Sequence, residues 1–276
     1  MPDCADPLCG WSLYEVDKTP IGLATSDIYG KLFYYVRSML EKFMYRMSKL
    51  TIAFQLLQVH AATLPNHLDE SFDRIDVSNI SDSGYLGAHR TVALRAPLLR
   101  VPPTNPHAIL ITLFMNLIDE NFTLQDQTTE WTLGSLSTKR LANYLLPTRP
   151  NRSIIDPALM KYAHARHHMR EYDDIFGRCA DKLQLARMPD WAGAVMKEEH
   201  TIIKKWPHRL KLEPGQEGGS EEFYRLMTSG LSSRELYLEW KRVQTQKAGQ
   251  ESGADRETIT SLDSCIAFVR ILVNYY

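Results

Sequence analysis

The chain has 276 residues, 44% hydrophobic and 24% charged, with 32 Lys and Arg against 33 Asp and Glu for a net charge of -1. That is enough apolar chain for one large core or two small ones, and the balanced charge leaves no electrostatic footprint for nucleic acid or an anionic membrane. No apolar stretch approaches the ~20 residues of a membrane span, and the opening MPDCADPLCGW has neither the basic nor the apolar region of a secretory signal.

Residues 1–25 are interrupted by Pro2, Pro7, Gly10, Pro20 and Gly22. A helix is predicted over 26–49, with Ser26 as N-cap and Asp27 in the first turn. Ile28, Leu32, Tyr35, Val36, Met39, Leu40, Phe43 and Met47 recur at helical spacing, and that face reads as core. Residues 51–59 are apolar and β-branched without clean alternation, which suits a strand buried on both faces of a parallel sheet. A shorter strand covers 72–77, a helix 86–100 ends at Pro102-Pro103, and HAILITLFM (107–115) is the strongest strand pattern.

Beyond about residue 125 the pattern changes. Pro147 and Pro150 mark a break, and a helix is predicted from Asp156-Pro157 to Phe176. An extended basic segment follows over 196–212, then a turn at 213–220 and helices over 221–227 and 233–246. Residues 247–255 read as a solvated linker, and the tail CIAFVRILVNYY as a helix or strand docked on the body. The expected fold class is α/β: a partial Rossmann-like parallel sheet in 1–125, with 126–276 as a mainly helical extension packed on it.

Ligands of open α/β sheets bind where strands end in turns, so the two early strand ends are the first candidate site. After the first come His60, Ala61, Ala62, Thr63, Leu64 and Pro65; after the second come Ser78, Asn79, Ser81 and Asp82. These ends look like the third and fourth strand ends of a class I methyltransferase, where an acidic residue followed by a small one accepts the adenine amino group. His60 stands at that acidic position, and a neutral imidazole accepts at one nitrogen. The structural alternative is a self-capped turn.

A second cluster is His164, His167, His168 and Glu171 in YAHARHHMREYDD. On a continuous helix, His164, His168 and Glu171 share one face, a spacing that suits two imidazoles and a carboxylate around a divalent metal. The competing reading is a solvated polar face. The basic run Lys204, Lys205, Trp206, His208, Arg209 and Lys211 reads as a solvated edge strand rather than an RNA contact. Cys4, Cys9, Cys179 and Cys265 form no C-x-x-C pair and read as free thiols in a reducing, cytoplasmic setting. No G-x-S-x-G elbow or P-loop occurs.

ADPLCGWSL (5–13), SDIYGKLFYYVRSML (26–40), FDRIDVSNISDSGYLGAHRT (72–91), NPHAILITLFMN (105–116) and MKEEHTIIKKWPHRLK (196–211) together resemble an uncharacterised fungal domain family. That family includes fungal proteins with MYND zinc fingers and is related to a domain of an axonemal dynein pre-assembly factor. The resemblance implies a methyltransferase-like fold and no established reaction. It implies S-adenosylmethionine as the possible cofactor, at His60, Ala61, Ser78, Asn79 and Asp82, with His89 toward a substrate. Two departures count against catalysis: His60 replaces the family's usual Asp, and no G-x-G-x-G loop follows any strand. Family members also carry several hundred residues before the ADPL block, so this chain resembles a C-terminal portion. The expected function is a non-catalytic binding or assembly module with a protein partner or a missing N-terminal half. The alternatives are a methyltransferase needing an upstream half and, third, a helical-site metalloenzyme.

Overall fold

The computed structural model describes residues 6–8, 10–22, 25–131, 136–145, 157–229, 231–243 and 266–274. The break at Pro147 and Pro150, the 247–255 linker and the thiols of Cys4, Cys9 and Cys265 lie outside the described residues.

The chain begins with a short helix, α1 (Leu13–Asp17), and the long α2 (Ile28–Lys49). Asp27, not Ser26, caps α2: its carboxylate accepts from the Gly30 N–H at 2.9 Å. Helix α2 runs directly into β1 (Thr51–Val59), followed by a 3-10 helix, Ala61–His67. Next come β2 (Arg74–Val77), α3 (Gly87–Arg95), β3 (Ile109–Phe114), and helices α4 (Leu117–Glu120), α5 (Leu124–Trp131) and α6 (Leu136–Leu141). The later part holds α7 (Pro157–Met169), α8 (Asp173–Lys182), α9 (Met188–Ala192), β4 (Ala194–Met196), α10 (Gly219–Met227), β5 (Leu236–Arg242) and β6 (Ile266–Asn274).

The main sheet is mixed, in the order β2-β3-β5-β4. Only β2 and β3 are parallel, joined through α3; β5 runs antiparallel to both β3 and β4. Strand β1 is not in this sheet. It pairs antiparallel with β6 in a separate ribbon, from Thr51↔Asn274 to Val59↔Ile266. The tail therefore settles as a strand, and its nine-residue register takes the partner role that a parallel neighbour was expected to fill. Phe54 and Leu56 stay exposed on that ribbon, so β1 is not buried on both faces.

Three further expectations change. The helix expected over 233–246 is instead β5, because Leu236, Leu238 and Trp240 are all buried with a period of two. Leu236 and Trp240 alone also fit the i, i+4 spacing of a helix, which is why the pattern misleads. The helix expected to reach Phe176 stops at Met169 and restarts at Asp173, with Asp173 and Asp174 in the favourable first turn. The segment 126–276, expected to be mainly helical, supplies β4 and β5 to the same sheet as β2 and β3.

The core follows from that sheet. Val77, Val92, Leu110 and Phe114 pack with Tyr172, Ile175, Phe176, Leu238 and Trp240 from the later half. A smaller cluster of Leu141, Ala165, Met169, Leu210, Phe223 and Leu226 joins α6, α7 and α10, with Tyr144 stacked on Phe223 at 4.7 Å.

On the opposite face of β5, Glu239 is fully buried. Its carboxylate accepts from three successive backbone N–H groups, Thr201, Ile202 and Ile203, at 2.7, 2.6 and 2.9 Å, and from Lys197 Nζ at 2.7 Å. Burial alone would raise this carboxyl, but those donors outweigh it and hold Glu239 down to about 2. The segment expected to be extended over 196–212 is thus a strand only at its start, and its turn is fixed by one carboxylate. Further along, Lys205, Trp206 and Arg209 all donate to Asp173 at the start of α8, at 2.9, 3.0 and 3.3 Å. Burial works against ionisation of Asp173, but Trp206 and Lys205 keep its carboxyl below the usual range. The basic run is therefore an anchored irregular segment, not an edge strand.

Candidate functional site

The residues of the expected strand-end site make different local contacts. Ser78 and Asn79 follow β2 as expected, with Ser78 Oγ 3.3 Å from Asn79 Oδ1. Asp82, 1% exposed, turns inward. It accepts from Met115 N at 3.1 Å, Asn116 N at 3.2 Å and Asn116 Nδ2 at 3.2 Å, tying the end of β2 to the end of β3. Burial pushes its carboxyl above the ordinary range, against the pull of the Met115 and Asn116 N–H donors. Substituting Asn for Asp82 puts an amide N–H against those backbone donors; urea unfolding is expected to show a loss of about 1–3 kcal/mol, and an unchanged midpoint would contradict this tying role.

His60 Nδ1 accepts from Ala62 N at 3.2 Å and so caps the 3-10 helix. Ala61 is buried, and its carbonyl accepts from Arg95 Nη2 in the last turn of α3. Burial lowers Arg95 to about 10. Asp82, by contrast, meets α3 at its first residue through Gly87 N–H, at 3.2 Å. Eight residues separate Gly87 from Arg95 in α3, about 12 Å at the helical rise. Ala61 nevertheless belongs to the same buried core cluster as Val77 and Ile80 at the end of β2. His89, on α3, leans its ring on Trp191 at 5.1 Å, and its buried Nε2 has no hydrogen-bond partner among the described residues.

The histidine cluster does not assemble as a metal site. His164 and His168 do lie edge to face at 5.1 Å. Because α7 stops at Met169, Glu171 leaves their face and pairs with Arg209 at 3.2 Å. Among the described residues no three His, Cys, Asp or Glu side chains group as a metal site requires. Burial pushes His168 down to about 4, with His164 adding to the shift and the His208 backbone opposing it.

A cavity of about 300 Å³ sits beyond the end of β3, lined by Asp119, Phe122, Gln127, Ala163, Arg166, His167 and Arg234. Sequence reasoning missed it because these residues come from α4, the link to α5, α5 itself, α7 and the lead-in to β5, with no local motif.

The largest departure from expectation is α2. Of the face read as core, Leu32 is buried and Ile28, Tyr35, Val36 and Met47 are half-buried, but Met39, Leu40 and Phe43 are exposed; with Tyr29, Phe33 and Met44, which are not in the predicted set, Leu40 and Phe43 form a stripe in which each residue is more than half exposed. Lys31 is held by Asp17 at 2.7 Å. Arg37, Lys42, Arg46 and Lys49 remain exposed on the helix, against the single acid Glu41. The signal was legible as a basic amphipathic helix. Among the described residues no helix is long and apolar enough to cross a membrane.

No protein-family model, curated protein or solved structure matches the chain.

Proposed function

We propose that this chain is a protein-binding or assembly module on a degenerate methyltransferase-like frame, and that it docks α2 into an acidic-rimmed apolar groove of a protein partner. The observation that carries this is the exposed stripe of Tyr29, Phe33, Leu40, Phe43 and Met44. At roughly half of the ~200 Å² of each such side chain, it leaves on the order of 500 Å² of apolar surface open, at the upper end for a lone monomer. The spacing i, i+4, i+11, i+14, i+15 is that of helix-in-groove recognition.

Charge selects the occupant. Four exposed basic residues against Glu41 repel a second copy of α2 and attract an acidic rim. What supports the Rossmann-like frame is the one parallel β2-α3-β3 unit with its polar turn at Ser78 and Asn79. A catalytic S-adenosylmethionine site has less support, since His60 caps its own turn and Asp82 ties β2 to β3. The reading keeps the chain in the cytoplasm, where the buried thiol of Cys179 stays reduced.

The test is the double substitution Phe33→Asp with Leu40→Asp. Both side chains are exposed, so unfolding free energy is expected to move by no more than about 0.5 kcal/mol per site. Affinity for the protein co-purifying with the unaltered chain is expected to fall at least about 100-fold. Undiminished co-purification would overturn the reading. So would self-association in light scattering, or binding to phosphatidylserine vesicles that the substitutions abolish. Saturable titration of the unaltered chain with S-adenosylmethionine would favour the enzymatic alternative instead.

A further inference from the structure

We propose that the outer edge of β1 is a strand-addition site, which takes an extended segment of another protein with acidic residues at the ends of that segment. This surface is separate from the α2 stripe, and the two readings stand or fall independently.

Among the described residues β1 (Thr51–Val59) has one strand neighbour, β6, met through nine consecutive pairs with no bulge. In an antiparallel pair every second residue aims its N–H and C=O away from the partner strand, so β1 presents a second, outer row of donors and acceptors. Edges are ordinarily blunted by a charged side chain, a Pro or a bulge. Thr51–Val59 contains no charged residue and no Pro. None of its described side chains is buried, and Phe54 and Leu56, on one face, are 49% and 70% exposed. A two-stranded ribbon is marginal in water, and a third strand is one of the additions that stabilise it. An added strand would extend the ladder along the outer row, while Phe54 and Leu56 would meet its alternate side chains.

Charge names the occupant. Helix α2 ends at Lys49, with only Leu50 between it and β1, and Lys42 and Arg46 are exposed in the turns before it. From Lys42 to Leu68 the sequence holds no Asp or Glu. A second copy would bring the same cations and no acid to meet them, whereas a strand of another protein flanked by Asp or Glu complements them.

The probe is a synthetic peptide of alternating Thr and Val with two Glu at each end, titrated into the unaltered chain by fluorescence anisotropy and followed by amide hydrogen exchange. Saturable one-to-one binding is expected, with exchange in residues 51–59 slowed at least about tenfold. The same peptide with Lys in place of Glu is expected to bind at least about tenfold more weakly. A version with Pro at its centre, which lacks a ladder donor, is expected not to bind. Leu56→Glu sets a carboxylate on an exposed edge position and is expected to weaken binding at least about tenfold. Circular dichroism checks that this variant folds, and the peptide comparisons decide without it. Because the readout is confined to 51–59, failure here leaves the docking of α2 standing, and failure of that docking leaves this result standing. The proposal is overturned by any of four results: no saturable binding, binding without slowed exchange in 51–59, equal binding of the Lys or Pro peptide, or slowed exchange that grows with the concentration of the chain alone.

Discussion

Replacing Glu239 by Ala is expected to lower the unfolding free energy by about 3–5 kcal/mol in urea titration. The substitution strands the Lys197 ammonium, whose side chain is 9% exposed, and removes the acceptor for the Thr201, Ile202 and Ile203 N–H groups at once. A chain of this size has roughly 5–15 kcal/mol of stability in total, so this one change takes a large share. Lys197→Met is expected to cost less, because the three backbone donors keep their carboxylate. A loss below about 1 kcal/mol for Glu239→Ala would place it among ordinary surface changes and contradict the locking role.

The same group sets an acid limit. Glu239 is held at about 2 in the folded chain against an ordinary 4.5, so its contribution is complete above pH 4.5 and fades as pH falls toward 2. His168, lowered to about 4 from 6.5, acts in a higher window: the folded chain resists its protonation, so stability also declines as pH falls from 6.5 toward 4. Stability is thus expected to drop in two steps on acidification. In Glu239→Ala the lower step is expected to shrink, with Asp173, Asp126 and Glu235 keeping the rest of it, while the upper one remains.

The second large effect is expected at Trp240. It is fully buried at the centre of the sheet, and its Nε1 donates to Thr112 Oγ1 on β3 at 3.0 Å. Trp240→Ala leaves a cavity between β5 and the helices and is expected to cost about 3–5 kcal/mol in urea unfolding. Trp240→Phe keeps most of the ring contacts and loses the bond to Thr112, for about 1–2 kcal/mol. Equal costs for the two substitutions would show that the hydrogen bond, rather than the volume, carries the site.

The legible parts of the fold were those with a strong local period. Helix α2, strand β3 and the polar turn after β2 lie close to where propensity and pattern put them. What failed was pairing and burial, which depend on distant partners. β1 has the composition of a central strand, yet residues 266–274, more than 200 positions away, pair with it in a separate ribbon. Leu236 and Trp240 satisfy helix and strand spacing alike, and only the burial of Leu238 between them decides for the strand. The α2 stripe shows the same limit on the functional side. Spacing defines an apolar face but does not say whether the rest of this chain covers it; the four exposed basic residues on the same helix were the clue to an outside surface. Asp82 sits where a ligand contact was expected, and the missing information was that the N–H groups of Met115 and Asn116 fold back onto it.

The docking role of α2 is tested most directly by photo-crosslinking in cells, with a benzophenone side chain at Leu40 on the apolar stripe or at Ser38 on the opposite side of the helix. The expected result is a single protein adduct from position 40 and none from position 38. That adduct should be competed by a peptide of the α2 sequence and lost on Arg37→Glu with Arg46→Glu, the two basic residues nearest the edges of the stripe. Adducts from position 40 to a second copy of this chain or to lipid, or equal labelling from both positions, would contradict it.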